Sequence, residues 1–171
     1  MACHWNATRS ATPSDNPATG APPLPLAGRP GCPQPGITLA TRTNAARSLD
    51  RLKITYSLRA YQVGKEHLSA AEVAAQLALD PRAVFKTLLV QDPRGEHAFA
   101  VLSAVQQLDL KALARTAETR SMALTPLDRV QAVTGYVRGG TTALAARKRL
   151  PVYLDESALL RPMISVSAGQ R

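Results

Sequence analysis

Residues 38–171 predict a single mixed α/β domain, and three observations carry that expectation. Helix-spaced and strand-spaced apolar patterns alternate along this stretch. The turn signal Asp92-Pro93-Arg94-Gly95 joins two strand-like runs into a hairpin, which argues against a purely parallel, doubly wound sheet. A chain of 171 residues has room for one hydrophobic core and little else.

The N-terminal segment stands apart from that domain. It holds eight of the 13 prolines and four of the ten glycines, with almost no periodic apolar pattern. Residues 1–37 are therefore expected to form a disordered, Pro-rich extension. Cys3, His4 and Cys32 lack the paired spacing of a metal site.

Within the domain, Ala45, Ala46, Leu49 and Leu52 recur at helical spacing over residues 41–52, and residues 54–61 then alternate like a strand. Ser69 and Glu72 have the spacing of a capping box ahead of Val73, Ala74, Leu77 and Leu79, which predicts a helix over 70–79. Asp80-Pro81 marks a turn or a helix start. Residues 84–91 and 97–104 form the two arms of the hairpin. Asp109 precedes Leu110, Leu113 and Ala114 as a helix cap would, residues 122–124 read as a short strand, and Thr125-Pro126 opens another helix toward Val133. Residues 151–154 and 163–166 complete the pattern as two late strands. No internal repeat is visible.

Charge points toward a partner. The formal net charge is +9, with Lys and Arg scattered along the chain, so an acidic polymer, with nucleic acid foremost, is the expected ligand. Aromatic residues make up only 4% of the chain, which argues against a base-stacking single-strand platform. No cysteine follows Cys32, so a disulfide-stapled core, a cysteine nucleophile in the domain and a cysteine-rich zinc site are excluded. No apolar stretch approaches the ~20 residues of a membrane span, and the N-terminus does not read as a signal peptide. A soluble, cytoplasmic protein is expected.

The common catalytic signatures are absent: there is no G-x-S-x-G elbow, Walker A loop, G-x-G-x-x-G turn or H-E-x-x-H helix. Only His67 and His97 fall within the domain, in a loop and beside the hairpin turn, where His97 reads as a solvated surface residue. Asp109 and Asp155 sit at element boundaries, where capping is the commoner role.

Two features remain. Lys86 interrupts the apolar run Val84-Phe85-Lys86-Thr87-Leu88-Leu89-Val90. Because desolvation disfavours a charged lysine, such a residue either snorkels to water or faces an anion, a phosphate or a developing oxyanion. The segment Thr134-Gly135-Tyr136-Val137-Arg138-Gly139-Gly140-Thr141-Thr142 offers adjacent glycines whose N–H groups could approach an ester carbonyl or phosphate, backed by two hydroxyls; otherwise it is an ordinary Gly-Gly turn. Arg147, Lys148 and Arg149 follow as a basic cluster suited to a nucleic-acid backbone or to solvent.

Taken in order, five short motifs resemble the YbaK-type aminoacyl-tRNA deacylases, relatives of the editing domain of bacterial prolyl-tRNA synthetases. They are residues 85–90, Gln107-Leu108-Asp109-Leu110-Lys111, Thr134-Gly135-Tyr136 with Gly139-Gly140, Lys148-Arg149-Leu150-Pro151 with Asp155, and Val166-Ser167. The resemblance covers residues 38–171. It implies a mixed, mostly antiparallel sheet curled toward a partly open barrel and flanked by helices. It also implies removal of cysteine from mischarged tRNA(Pro), without metal or cofactor, by attack of the substrate's own thiol on its ester.

Under the resemblance Lys86 matches the family's essential lysine, Gly139 and Gly140 the loop of the aminoacyl pocket, Tyr61 a pocket tyrosine and Asp155 a family aspartate. Thr87, Thr141 and Thr142 join Tyr61 and Asp155 as expected substrate-binding residues, and Arg147, Lys148 and Arg149 as the expected tRNA surface. Aminoacylated tRNA and prolyl-tRNA synthetase are the implied partners, with no membrane and no metal.

The chain departs from the pattern at Leu68-Ser69, where the family carries an aromatic residue, at Thr141-Thr142-Ala143 and at Ala168. The amino acid removed is thereby left open: cysteine by thiol cyclisation, or alanine or another small residue by water. A binding module that docks tRNA or a synthetase without catalysis is the alternative of another class. The family also continues through a further strand and helix, so a C-terminally truncated member is expected.

Overall fold

The computed structural model describes residues 2–6, 43–62 and 68–170. Chain order is β1 (Ala2–Asn6), α1 (Asn44–Arg51), β2 (Tyr56–Arg59), α2 (Ala70–Gln76), β3 (Phe85–Gln91), β4 (His97–Ser103), α3 (Leu110–Thr116), β5 (Ala123–Leu124), α4 (Leu127–Thr134), β6 (Val152–Leu154), a 3₁₀ turn (Glu156–Leu160) and β7 (Met163–Ser167).

Local chemistry sets the helix ends. Thr43 caps α1 by accepting from the Ala46 N–H at 3.1 Å, and Ala45, Ala46 and Leu49 bury the helix's apolar face. At α2 both arms of the capping box are made: Ser69 Oγ accepts from Glu72 N at 3.2 Å, and Glu72 Oε2 accepts from Ser69 N at 2.6 Å. That helix stops at Gln76 rather than 79 because Ala78 turns left-handed at φ 51. Asp109 caps α3 through the N–H groups of Lys111 and Ala112. Pro126 stands at the N-cap of α4, not inside its first turn, and makes no side-chain cap.

The sheet is mixed and mostly antiparallel, as the resemblance implies. One part runs β2-β1-β7 and the other β5-β3-β4-β6, with β6 parallel to β4. They meet where Val84 bridges Ser165 in parallel and Ser165 N donates to Ala83 O at 2.8 Å. The β3–β4 hairpin runs in register from Phe85↔Ser103 to Gln91↔His97. Buried Asp92 closes its turn by accepting from Arg94 N and Glu96 N, both at 2.9 Å.

Residues 2–6 form a strand where the composition of the N-terminal segment predicts none. They pair antiparallel with both β2 and β7, satisfying two sheet edges that would otherwise lack partners. The rest of the extension expected over residues 1–37 lies outside the described residues, as does His67.

The strand period of two divides the core. Leu89 and Phe99 face Val130 of α4 on one side of the hairpin, while Val90, Ala98 and Ala100 face Leu113 of α3 on the other. Burial of each such large side chain contributes roughly 1.5–3 kcal/mol. Between the bridge at Val84 and the pairing of Val90 with Leu124, no strand among the described residues pairs with the outer edge of β3. That gap positions the site.

Candidate active site

A cavity of about 770 Å³ opens along this unpaired stretch of β3. Its other walls are the start of α2, the start of α4, the loop around Gly139 and the end of β7. The lining is mainly apolar, with polar groups at a few points, as binding clefts usually are. Lys86 and Arg138 bring two positive charges, and no Asp, Glu, His or Cys lines the cavity among the described residues.

Lys86 is half-buried on β3, and neither simple alternative describes it. Its ammonium turns to the chain leaving β4, donating to the carbonyls of Ala104 at 3.2 Å and Gln106 at 2.5 Å. Two of three N–H donors are thereby used, which fixes the charge in place and leaves one donor. Burial pushes this ammonium below the ordinary lysine value.

The Gly-Gly loop divides residue by residue. Gly139 and Thr141 line the cavity, whereas Gly140 and Thr142 face inward and are buried. Gly139 adopts φ 81, a conformation that favours glycine. The Gly140 N–H closes the turn onto Val137 O at 3.0 Å, so it is not free for the ester carbonyl that the adjacent glycines suggested. Thr142 Oγ1 accepts from Leu144 N at 3.3 Å and anchors its own turn, not a ligand. The N–H groups of Gly139 and Thr141, both cavity-lining residues, have no hydrogen-bond partner among the described residues, and Gly139 is the one of the two glycines that keeps a donor available.

Tyr136 holds this loop against the C-terminal end of the chain. Its hydroxyl reaches the carbonyls of Leu144 at 2.7 Å and Ala145 at 3.1 Å, and burial raises its pKa. The ring lies so close to Gly169 that a Cβ there would stand 2.6 Å from Tyr136 Cε1. Glycine at 169 is what admits the ring.

Of the other expected residues, Tyr61 and Thr87 line the cavity, Tyr61 from beyond the end of β2. Asp155 does not. It caps the 3₁₀ turn, accepting from Ser157 N at 3.0 Å and from the Ser157 hydroxyl, the role its place at an element boundary suggested. Arg147, Lys148 and Arg149 are exposed and lie outside the cavity lining. His97 differs from expectation. Its Nε2 is buried without a partner among the described residues, on the strand residue that pairs with Gln91.

Sequence reasoning missed Arg138 and Thr125 on the cavity wall. Arg138 carried a readable signal, a cation directly before Gly-Gly. Thr125 carried none: its buried hydroxyl lacks a partner among the described residues, where the sequence suggested a helix start.

Residues 65–171 match the aminoacyl-tRNA editing domain family. A proposed Cys-tRNA(Pro)/Cys-tRNA(Cys) deacylase, EbsC of Enterococcus faecalis, is 35% identical over 130 residues, covering 76% of this chain and 79% of its own. Two solved structures share the fold. The hypothetical protein APE2540 has a TM-score of 0.65 at 22% identity, over 74% of this chain and 83% of its own. A proposed trans-editing enzyme for prolyl-tRNA synthetase has a TM-score of 0.57 at 23% identity, over 64% and 69%. On the strength of the family match and the Enterococcus relative, this chain belongs to the aminoacyl-tRNA editing domain family.

Proposed function

We propose that the chain is a trans-editing deacylase that removes cysteine from mischarged tRNA(Pro). One observation carries the reading: the cavity combines a fixed cation, an available Gly139 N–H and the Thr141 hydroxyl, yet among the described residues no Cys, His, Asp or Glu lines it. Such a set of groups holds and polarises an ester, but among the described residues it includes neither an activated nucleophile nor a base. A cysteinyl ester brings the nucleophile with it.

In the proposed step the substrate thiol sulfur bonds to the ester carbonyl carbon, the bond to the ribose oxygen breaks, and the thiol proton ends on the departing hydroxyl. A four-membered thiolactone leaves, and the tRNA is freed. Gly139 N–H and Thr141 receive the developing oxyanion, an interaction class in which one donor lowers the barrier by about 3–4 kcal/mol. Lys86 stabilises the same charge through its field and its remaining donor, while Tyr61 and Thr87 shape the pocket. A volume of about 770 Å³ suits an aminoacylated nucleoside better than an amino acid alone. Arg147, Lys148 and Arg149 hold the acceptor stem, in a cytoplasmic complex that includes tRNA and draws mischarged product from prolyl-tRNA synthetase.

Purified protein incubated with Cys-tRNA(Pro), Ala-tRNA(Pro) and Pro-tRNA(Pro) tests this. Rapid loss of cysteine with a trapped thiolactone is expected. Equal loss of alanine would replace cyclisation by hydrolysis, and tRNA binding without any deacylation would leave a docking module.

A further inference from the structure

We propose that Arg138 seats the 3′-terminal phosphodiester of the substrate at the mouth of the cavity, a role that rests on the aminoacyl-tRNA reading above. The cavity carries two cations and no acidic side chain among the described residues, so its field favours an anionic ligand. The two cations are not equivalent. Lys86 has spent two donors on the carbonyls of Ala104 and Gln106. Arg138 is exposed and makes no hydrogen bond or ion pair among the described residues, so all five guanidinium N–H groups remain for a ligand.

Its backbone is also fixed beforehand. Arg138 occupies the corner of the turn that Gly140 N closes onto Val137 O at 3.0 Å, with Gly139 at φ 81 completing it. Behind the turn, a Cβ on Gly140 would meet the backbone carbons of Gly169 and Gln170 at 3.5 Å, ordinary van der Waals contact, so the turn is backed by that stretch of chain. Arg138, Gly139 and Thr141 all line the cavity from this one short turn. A phosphodiester at the mouth and an acylated ribose oxygen inside would then be held by neighbouring residues of the same turn. Arginine's planar fork suits the two free oxygens of a phosphodiester.

Two non-hydrolysable probes test the assignment by calorimetry: 3′-cysteinylamido-3′-deoxyadenosine bearing a 5′-methyl phosphate, and the same compound with a free 5′-hydroxyl. The wild-type protein is expected to bind the phosphorylated probe about tenfold more tightly, in keeping with a charge-assisted pair at an exposed rim. Arg138→Gln should bind both with the wild-type affinity for the hydroxyl probe, and Arg138→Lys should restore part of the preference. An unchanged preference in Arg138→Gln, no preference in the wild type, or equal weakening of both probes in Arg138→Gln would each overturn the role. Failure of the wild type to bind either probe would instead sink the aminoacyl-adenosine reading itself. On intact tRNA, Arg138→Gln should lower the slope of log affinity against log salt by about 0.7.

Discussion

Within residues 139–142 neighbouring positions of the same residue type have opposite surroundings. Gly139 and Thr141 line the cavity, while Gly140 is packed on the backbone of Gly169 and Gln170, and Thr142 is fully buried with its hydroxyl accepting from Leu144. A paired motif is thus half site and half scaffold, and the scaffold half fixes the geometry of the other. Asp155 and Lys86 extend the same division, the first capping a 3₁₀ turn and the second facing the cavity with its ammonium tied to two carbonyls.

The largest expected effect lies on the cavity side. Lys86→Met keeps the apolar stem and removes the charge, and single-turnover deacylation of Cys-tRNA(Pro) should fall about 100-fold or more, the scale of losing one preorganised electrostatic group. Its unfolding midpoint should stay near the wild type's, because Ala104, one of the two residues whose carbonyls lose the ammonium, lines the open cavity and neither residue is fully buried. A variant that folds and retains nearly full rate would remove Lys86 from the chemistry.

Glycine substitutions probe the loop itself. At φ 81, Gly139→Ala forces a side chain into the left-handed region at a cost of about 1 kcal/mol, and the distorted donor should lower kcat/KM roughly tenfold. Gly140→Ala meets neighbours only at 3.5 Å with ordinary backbone angles, so its rate should stay within about twofold. The reverse order of the two rates would invert the division between site and scaffold.

On the scaffold side the readout is stability. Thr142→Val removes the acceptor for Leu144 N, and Asp155→Ala removes the cap of the 3₁₀ turn; each should cost about 1 kcal/mol in a urea titration with an unchanged slope. Neither should alter kcat/KM. A selective loss of activity in Asp155→Ala would restore that aspartate to the site.

Much of the fold was legible because it rests on local rules. The Ser69–Glu72 box, the Asp109 cap and the Asp92 turn are each set by residues at most four apart, and each forms as its spacing predicts. The site was legible only in outline. Lys86, Gly139, Thr141, Thr87 and Tyr61 converge, but which glycine of a pair keeps a free N–H depends on Val137 and on packing against Gly169, contacts that no local spacing encodes. His97 shows the same limit: proximity to a turn suggested solvent, while its Nε2 is buried.

The smallest effect is also the one that best separates the two roles of Lys86. Burial holds its pKa below the ordinary lysine value, so between the folded and unfolded values the native state has released a proton that the unfolded chain still binds. Stability therefore rises with pH through that alkaline window, and below it the cost of burying the charge is fully present. Activity, if the ammonium is the working form, must fall through the same window. The stability difference between wild type and Lys86→Met should thus shift in favour of the wild type as pH increases, while the wild-type deacylation rate, corrected for spontaneous ester hydrolysis, declines. A corrected rate that instead climbs with the stability would make the neutral amine the working form, and Lys86 a base rather than a fixed charge.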